Sequence, residues 1–204
     1  MLNTLLYFFA ACFVAVVAAS FFEWLLHRYV MHRPILGFRY PFKAHALVHH
    51  HVFRADDTYH LHDEKDGELV PMAWWNGPIL VAISQIPFLI PAFLLHRWSI
   101  VAGSTLAVAA YYATYEYLHW CMHVPRARNV ERSGVFFRLN GHHLLHHRYM
   151  NKNFNVVFPL ADYFLGTLLP RSKVSFAQAR GPAVPCVQPR QAHRPAPVEE
   201  FAGK

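Results

Sequence analysis

Three stretches of this chain carry no charged residue over a length comparable to a membrane crossing: Leu5 to Phe22, Pro78 to Leu95, and Ile100 to Tyr115. A spanning helix needs about twenty mainly apolar residues, because the hydrocarbon core is about 30 Å thick and a helix rises about 1.5 Å per residue. The first run continues through Glu23-Trp24-Leu25-Leu26 to His27, and the third through Glu116 to about His123. All three are expected to be membrane helices. Pro78, Pro87 and Pro91 interrupt the second run and should kink it, since each removes a backbone donor, so that it either bends as it crosses or re-enters. The connection His96-Arg97-Trp98-Ser99 is short enough to force runs two and three into a tight antiparallel hairpin. Ala18-Ala19-Ser20 resembles a small-residue cleavage site, but no Lys or Arg precedes the run and its helix leads straight into histidines. The first run is therefore expected to be retained as an anchor.

Residues 1–171 are expected to form one all-α domain of multi-pass membrane helices with a cytoplasmic histidine-rich helical cap. From Ser172 to Lys204 the sequence turns to Ala, Pro, Gln and Arg, and this tail is expected to be disordered. No repeat of fixed period is present.

The chain is 54% hydrophobic and only 15% charged, against roughly 25% charged residues in an ordinary soluble domain, which favours a membrane protein. A net charge of +7 raises nucleic-acid binding as an alternative. Every Lys and Arg except Arg97, however, lies between Arg28 and Lys65 or between Arg126 and Lys204. That is the positive-inside distribution; it places both basic segments in the cytoplasm and leaves nucleic acid unneeded. Cys12, Cys121 and Cys186 are odd in number and contain no C-x2-C pair, so neither a disulfide framework nor a zinc ribbon is supported. Cys121, between two histidines, reads as a buried inert thiol.

Ten of the sixteen histidines fall into four clusters beside or between the apolar runs. These are His27 and His32; His45, His49 and His50; His119 and His123; and His143, His146 and His147. The hairpin geometry puts all four on one aqueous face, leaving His96 on the other. Neutral imidazole is the commonest metal ligand, and residues three or four apart share a helix face, so His119/His123 and His143/His146/His147 can each offer several nitrogens to one ion. The spacing of five in His27/His32 and His45/His50 is about 140° off-face on a regular helix. A helix end or local unwinding is needed there. His51, His60, His62, His96, His142 and His193 do not match the pattern.

Ten imidazoles are too many for one zinc, which takes three or four protein donors. Two ions with about five nitrogens each, and an open position on each, fit better, and such sites suit iron and oxygen chemistry as well as zinc, copper or nickel. Glu23, four residues before His27, and Glu116, three before His119, are placed to orient those rings; snorkelling to the interface is the alternative.

From roughly Phe22 to Leu168 the chain resembles the fatty acid hydroxylase and sterol desaturase superfamily of integral-membrane di-iron enzymes. The resemblance rests on the four histidine clusters, on Asn153-Phe154-Asn155, and above all on Asp162-Tyr163-Phe164-Leu165-Gly166-Thr167, which is similar to the family's closing acidic element. It implies two iron ions held by the ten clustered histidines, with Asp162 as a further supporting carboxylate. It also implies hydroxylation or desaturation of an unactivated lipid C–H by O2 and two electrons. The second cluster reads His-x3-His-His, where His-x2-His-His is frequent; either His49/His50 or His50/His51 could be the ligating pair, and the former is expected. No G-x-G-x-x-G follows a strand pattern and no haem-binding module is evident, so a separate ferredoxin- or cytochrome-type electron donor is expected on the basic face. The rival readings are a non-redox metal-binding or metal-transport membrane protein and a zinc-dependent membrane hydrolase.

Overall fold

The computed structural model describes residues 2–35 and 37–173. The first element, α1 (Leu2–Leu26), runs without a break into a π-helical turn, His27–Met31, that closes just before Pro34. A short α2 (Tyr40–Phe42) leads into a second π-helical stretch, Lys43–His49, and α3 (His50–Val52). Two 3-10 turns follow, started by Asp56 and Asp63, whose side chains accept from the amides of Thr58 and Lys65. Then come α4 (Asn76–Ser84), α5 (Ile86–Leu94), α6 (Ser99–His123), α7 (Gly134–Arg148) and α8 (Leu160–Phe164). Among the described residues there is no strand, only one isolated bridge between Ile35 and Phe38. The fold is all-α, as expected.

The seam between α1 and α6 organises the molecule. On α1 the buried residues are Ala11, Ala15, Ala19, Ser20 and Trp24, a stripe at helical spacing, while Leu5, Leu6, Phe9, Phe13 and Val14 point outwards. Small residues inside and large apolar ones outside is the pattern of helices that pack in lipid, where close backbone approach replaces the hydrophobic drive. Gly103 on α6 meets this stripe so closely that a Cβ there would lie 2.3 Å from the carbonyl oxygen of Phe8. The Cys12 thiol donates to the Gly103 carbonyl at 3.2 Å, and further along Tyr111 bonds Glu23. The contacts advance together along both chains, so α1 and α6 run parallel and their C-terminal ends, which carry histidines, lie side by side.

The second apolar run is broken at Gln85 into α4 and α5, with Pro87 in the first turn of α5 and Pro91 inside it. The break falls where the prolines withhold donors, and the polar groups there are satisfied within the bundle. Gln85 Oε1 accepts from the Ser104 hydroxyl at 2.6 Å, and its Nε2 donates to the Val81 carbonyl at 3.2 Å. The hairpin turn before α6 places His96 at φ 50°.

Two segments are long and apolar enough to cross a membrane, Leu2–Met31 and Asn76–Leu94, and both leave most of their surface outside the protein core. The third expected span, α6, is as long as α1 but falls short of that apolarity because it is an inner helix. It packs against α1 on one side and α4 and α5 on the other. Its polar Ser104 and Glu116 meet Gln85 and the amide of Met72 there. The outward apolar surfaces make this a membrane protein. The tail from Ser172 is described only as far as Lys173, where Arg171–Lys173 form a 3-10 turn; the rest of the tail, with Cys186 and His193, lies outside the described residues.

Candidate metal centre

The two π-helical turns resolve the spacing of five. In a π-helix the amide of residue i+5 bonds the carbonyl of residue i, so residues five apart come nearly above one another. His32 N donates to His27 O at 3.1 Å, and the amide of His50 donates to His45 O. Helix ends therefore unwind at the two places where a regular helix would have pointed the rings apart.

The ten clustered histidines converge into two sets of five. One comprises His27, His32, His45, His50 and His146, the other His49, His119, His123, His143 and His147, and within each the facing ring atoms all lie within 4.8 Å of one another. His49 and His50, adjacent in sequence, go to different sets. His51 stays exposed, its carbonyl bonded by Arg54 at 3.0 Å. Both sets draw on sequence-distant elements: the first joins the end of α1, the second π-helical stretch, α3 and α7, and the second joins that same stretch to α6 and α7.

Ring nitrogens face ring nitrogens across each set. In the first, Nε2 of His45 lies 2.8 Å from Nε2 of His27 and 3.1 Å from that of His50, and His32 and His146 face each other at 3.1 Å. In the second, Nε2 of His143 lies 3.2 Å from that of His123 and 3.0 Å from that of His147. Two nitrogens bound at about 2.1 Å to one ion, at right angles, would lie about 3 Å apart. The buried Nε2 of His49 has no hydrogen-bond partner in the protein. Converging lone pairs repel unless a cation lies among them, so the donor set fits a metal ion in each cluster.

The outer ring nitrogens settle which tautomer is present. Nδ1 of His146 donates to Lys152 O at 2.7 Å, that of His123 to Tyr59 O at 2.8 Å, and that of His49 to Leu69 O at 3.3 Å. His27 and His147 donate likewise to the carbonyls of Phe154 and Phe53. A backbone carbonyl only accepts, so these Nδ1 atoms carry the hydrogen and Nε2 carries the lone pair that faces inward. Burial keeps the rings neutral: it lowers His32 and His49 to about 4 and His146 to about 3. For His45, His50, His143 and His147 burial again comes first and neighbouring imidazoles add to the downward shift. Neutral imidazole is the ligating form.

The expected carboxylate partners do not hydrogen-bond any of the ten clustered imidazoles. Glu23 accepts from the amide of Val156 at 2.6 Å, from Asn155 Nδ2 at 3.0 Å and from the Tyr111 hydroxyl at 2.6 Å. Glu116 accepts from the amide of Met72 at 3.2 Å. Asp162 accepts from the amides of Phe154 and Asn155 at 2.9 and 2.8 Å, from Thr167 Oγ1 at 2.6 Å and from His142 Nε2 at 3.1 Å. The reason is steric as well as electrostatic. Five of the rings, His27, His49, His123, His146 and His147, already have a main-chain carbonyl at the back, and the carboxylates instead hold the extended segment 153–156 that supplies one of them. Glu23 and Asp162 thus act on His27 at one remove, through the Phe154 peptide; Glu116 secures the chain entering α4.

This segment also accounts for two motifs. Asn153 sits at φ 56°, its side chain donating to the carbonyls of His142 and Leu169, both at 3.1 Å, and accepting from the amide of Leu169 at 2.6 Å. Asn155 donates to the Ser20 carbonyl at 2.8 Å and accepts from the amide of Asp162 at 3.1 Å. Gly166 at φ 69° makes the left-handed turn that returns Thr167 to Asp162, and Trp24 Nε1 donates to Thr167 Oγ1 at 2.8 Å. Ser20 was missed in the sequence as a functional residue, although its hydroxyl bonds Phe158 O at 2.6 Å. The signal was there: polar Ser20 and Glu23, three apart, after an uninterrupted apolar stretch from Leu5 to Ala19.

Outside the two sets, His60 bonds the Met122 carbonyl at 3.1 Å, His62 the Asp57 carbonyl at 2.6 Å, and His142 pairs with Asp162. Cys121 is buried beside Met122 and Phe136, in neither set. On the membrane side an apolar cavity lies between α1, α4 and α6, lined by Ala19, Phe22, Leu80, Val108 and Tyr115 and reaching His27 of the first set.

Residues 12–167 match the family model of the fatty acid hydroxylases, and the chain belongs to that family. It is 31% identical over 152 residues to the dihydroceramide fatty acyl 2-hydroxylase FAH1 of Arabidopsis thaliana, an alignment covering 73% of this chain and 56% of that protein. The chain thus spans a little over half the length of that relative. No solved structure matches it.

Proposed function

We propose that this protein is a membrane oxidoreductase that hydroxylates or desaturates a C–H bond of a membrane lipid, using O2 and two iron ions held by the ten clustered histidines. The observation that carries the reading is the meeting of two features at His27: a five-histidine set and an apolar cavity rising between α1, α4 and α6. His27, His32, His45, His50 and His146 would hold one ion and His49, His119, His123, His143 and His147 the other. Iron bound there supplies O2 activation and removal of hydrogen from an unactivated C–H bond.

The chain's own residues do the rest. Backbone carbonyls hold His27, His49, His123, His146 and His147 in the tautomer whose lone pair faces inward, and burial keeps the rings unprotonated. Ala19, Val108 and Leu80 offer an alkyl chain a dry path beside α1, so the substrate can stay dissolved in the bilayer while the part near His27 is presented. The family supports hydroxylation, and the relative's name specifies a fatty acyl 2-hydroxylase. An acyl lipid is therefore the favoured substrate. Hydroxylation converts R–H, O2, two electrons and two protons into R–OH and water; the electrons would come from a separate ferredoxin- or cytochrome-type protein docking on the basic side. The Lys and Arg distribution supports a multi-pass chain with that side in the cytoplasm.

The test is comparative lipid mass spectrometry of cells expressing the wild type or His146→Ala/His147→Ala, joined to metal analysis of protein purified without added metal. The reading expects a lipid that has gained one oxygen atom or lost two hydrogen atoms in the wild type alone, and two irons per chain. Unchanged lipids, or zinc in place of iron, would overturn it.

A further inference from the structure

Of the ten clustered histidines, His32 alone is not fully buried. It opens onto a cleft that shares no lining residue with the apolar cavity and is lined also by Arg28, Arg33, Phe42, Leu47 and Met150. The two arginines flank His32 just beyond the apolar part of α1, at the level where a spanning helix leaves the hydrocarbon.

Both guanidiniums are held by aromatic faces. That of Arg28 lies 4.8 Å from the Trp24 ring centroid, 5.4 Å from Tyr29 and 5.8 Å from Phe154, and that of Arg33 lies 5.2 Å from Tyr29. Stacking on rings occupies the guanidinium plane and leaves its N–H edge free to form the forked bonds that suit carboxylate or phosphate. Among the described residues neither arginine takes part in an ion pair. Around them the surface is apolar: Leu47 is 55% exposed and Met150 52%. A pre-positioned pair of cations with a bare apolar wall is matched to an amphiphile with an anionic head.

We propose that this cleft binds the anionic head group of a lipid, a carboxylate or a phosphate, between Arg28 and Arg33, with the adjoining chain against Leu47 and Met150. An acidic protein is the less suited occupant, because a stable protein contact buries about 800 Å² per partner over a broad face and this site is a concavity with two arginines. The bound head would lie beside His32. Binding requires neither turnover nor electrons, so it stands or falls apart from the oxygenase reading.

The test uses the full chain, purified with its metal into phosphatidylcholine nanodiscs, and two photoactivatable probes, phosphatidic acid and phosphatidylcholine. Phosphatidic acid should label Leu47 or Met150 in preference to the neutral probe. Labelling should fall about tenfold in Arg28→Gln/Arg33→Gln, as expected for loss of a charge-assisted hydrogen bond. Arg33→Gln alone, at an exposed position, should lower it in part with metal content unchanged. Equal labelling by both probes, or no change in either variant, overturns the proposal. So does displacement by inorganic phosphate alone, which assigns the cleft to a free anion, and displacement by an acidic ferredoxin that no longer competes in the double variant, which assigns it to a protein.

Discussion

At the residue scale, a buried imidazole becomes a ligand when one nitrogen is committed to an acceptor and the other is left facing its neighbours. His146, bonded to Lys152 O and facing His32, meets both conditions; His60 and His142 meet only the first and lie outside both sets. His146→Ala should therefore remove metal from the protein, whereas His51→Ala, at an exposed ring, should leave metal content near that of wild type, both read by elemental analysis. Acid should act on the same rings. The folded-state values of His32 and His49 are lowered from 6.5 to about 4, so between those values the unfolded chain binds more protons than the folded one. Stability of the metal-free protein should then fall as pH drops from 6.5 towards 4, as followed by thermal melts, and a melt independent of pH in that window would contradict the burial argument. Bound metal should oppose this loss, since protons and metal compete for one lone pair.

At the scale of elements, the seam between α1 and α6 is the part most sensitive to added volume. Gly103→Leu has no room against the Phe8 backbone and should cost about 1–3 kcal/mol, as overpacking generally does, or separate the helices outright. Because these helices carry His27 and His119 at neighbouring ends, the same change should also lower metal occupancy. Melting in detergent with metal analysis checks both. The segment 153–156 makes a second element-level prediction. Glu23→Gln keeps the size of the side chain but weakens its hold on the amide of Val156, and through the Phe154 carbonyl it should loosen His27. A loss of about 10–100-fold in metal affinity is the usual effect of removing such outer support, and competition with a chelator of known affinity measures it.

At the scale of the whole molecule, both histidine sets lie at one end of the parallel α1 and α6, and the α5–α6 turn at the other. If the histidine end faces the cytoplasm, single cysteines placed at Trp98 and at Arg54 should be labelled by an impermeant reagent from opposite sides of intact vesicles. Labelling from the same side would refute the proposed orientation.

Much of this was legible in the sequence for reasons of simple periodicity. Charge-free runs of membrane length, a proline-broken second run and histidines clustered beside those runs are all visible along the chain, and the ten clustered histidines are the ten that converge, including His27 and His32, whose spacing of five a regular helix would have pointed apart. Other features were decided only by the tertiary structure. Which set takes His49 and which His50 depends on where α6 and α7 lie around the second π-helical stretch, a relation between elements that spacing does not encode. The same holds for the supports of the rings. Glu23 and Glu116 are correctly spaced for His27 and His119, yet a main-chain carbonyl, of a kind present at every residue and so invisible as a sequence signal, reaches His27 first, and the two carboxylates are drawn to main-chain amides of Val156 and Met72 instead.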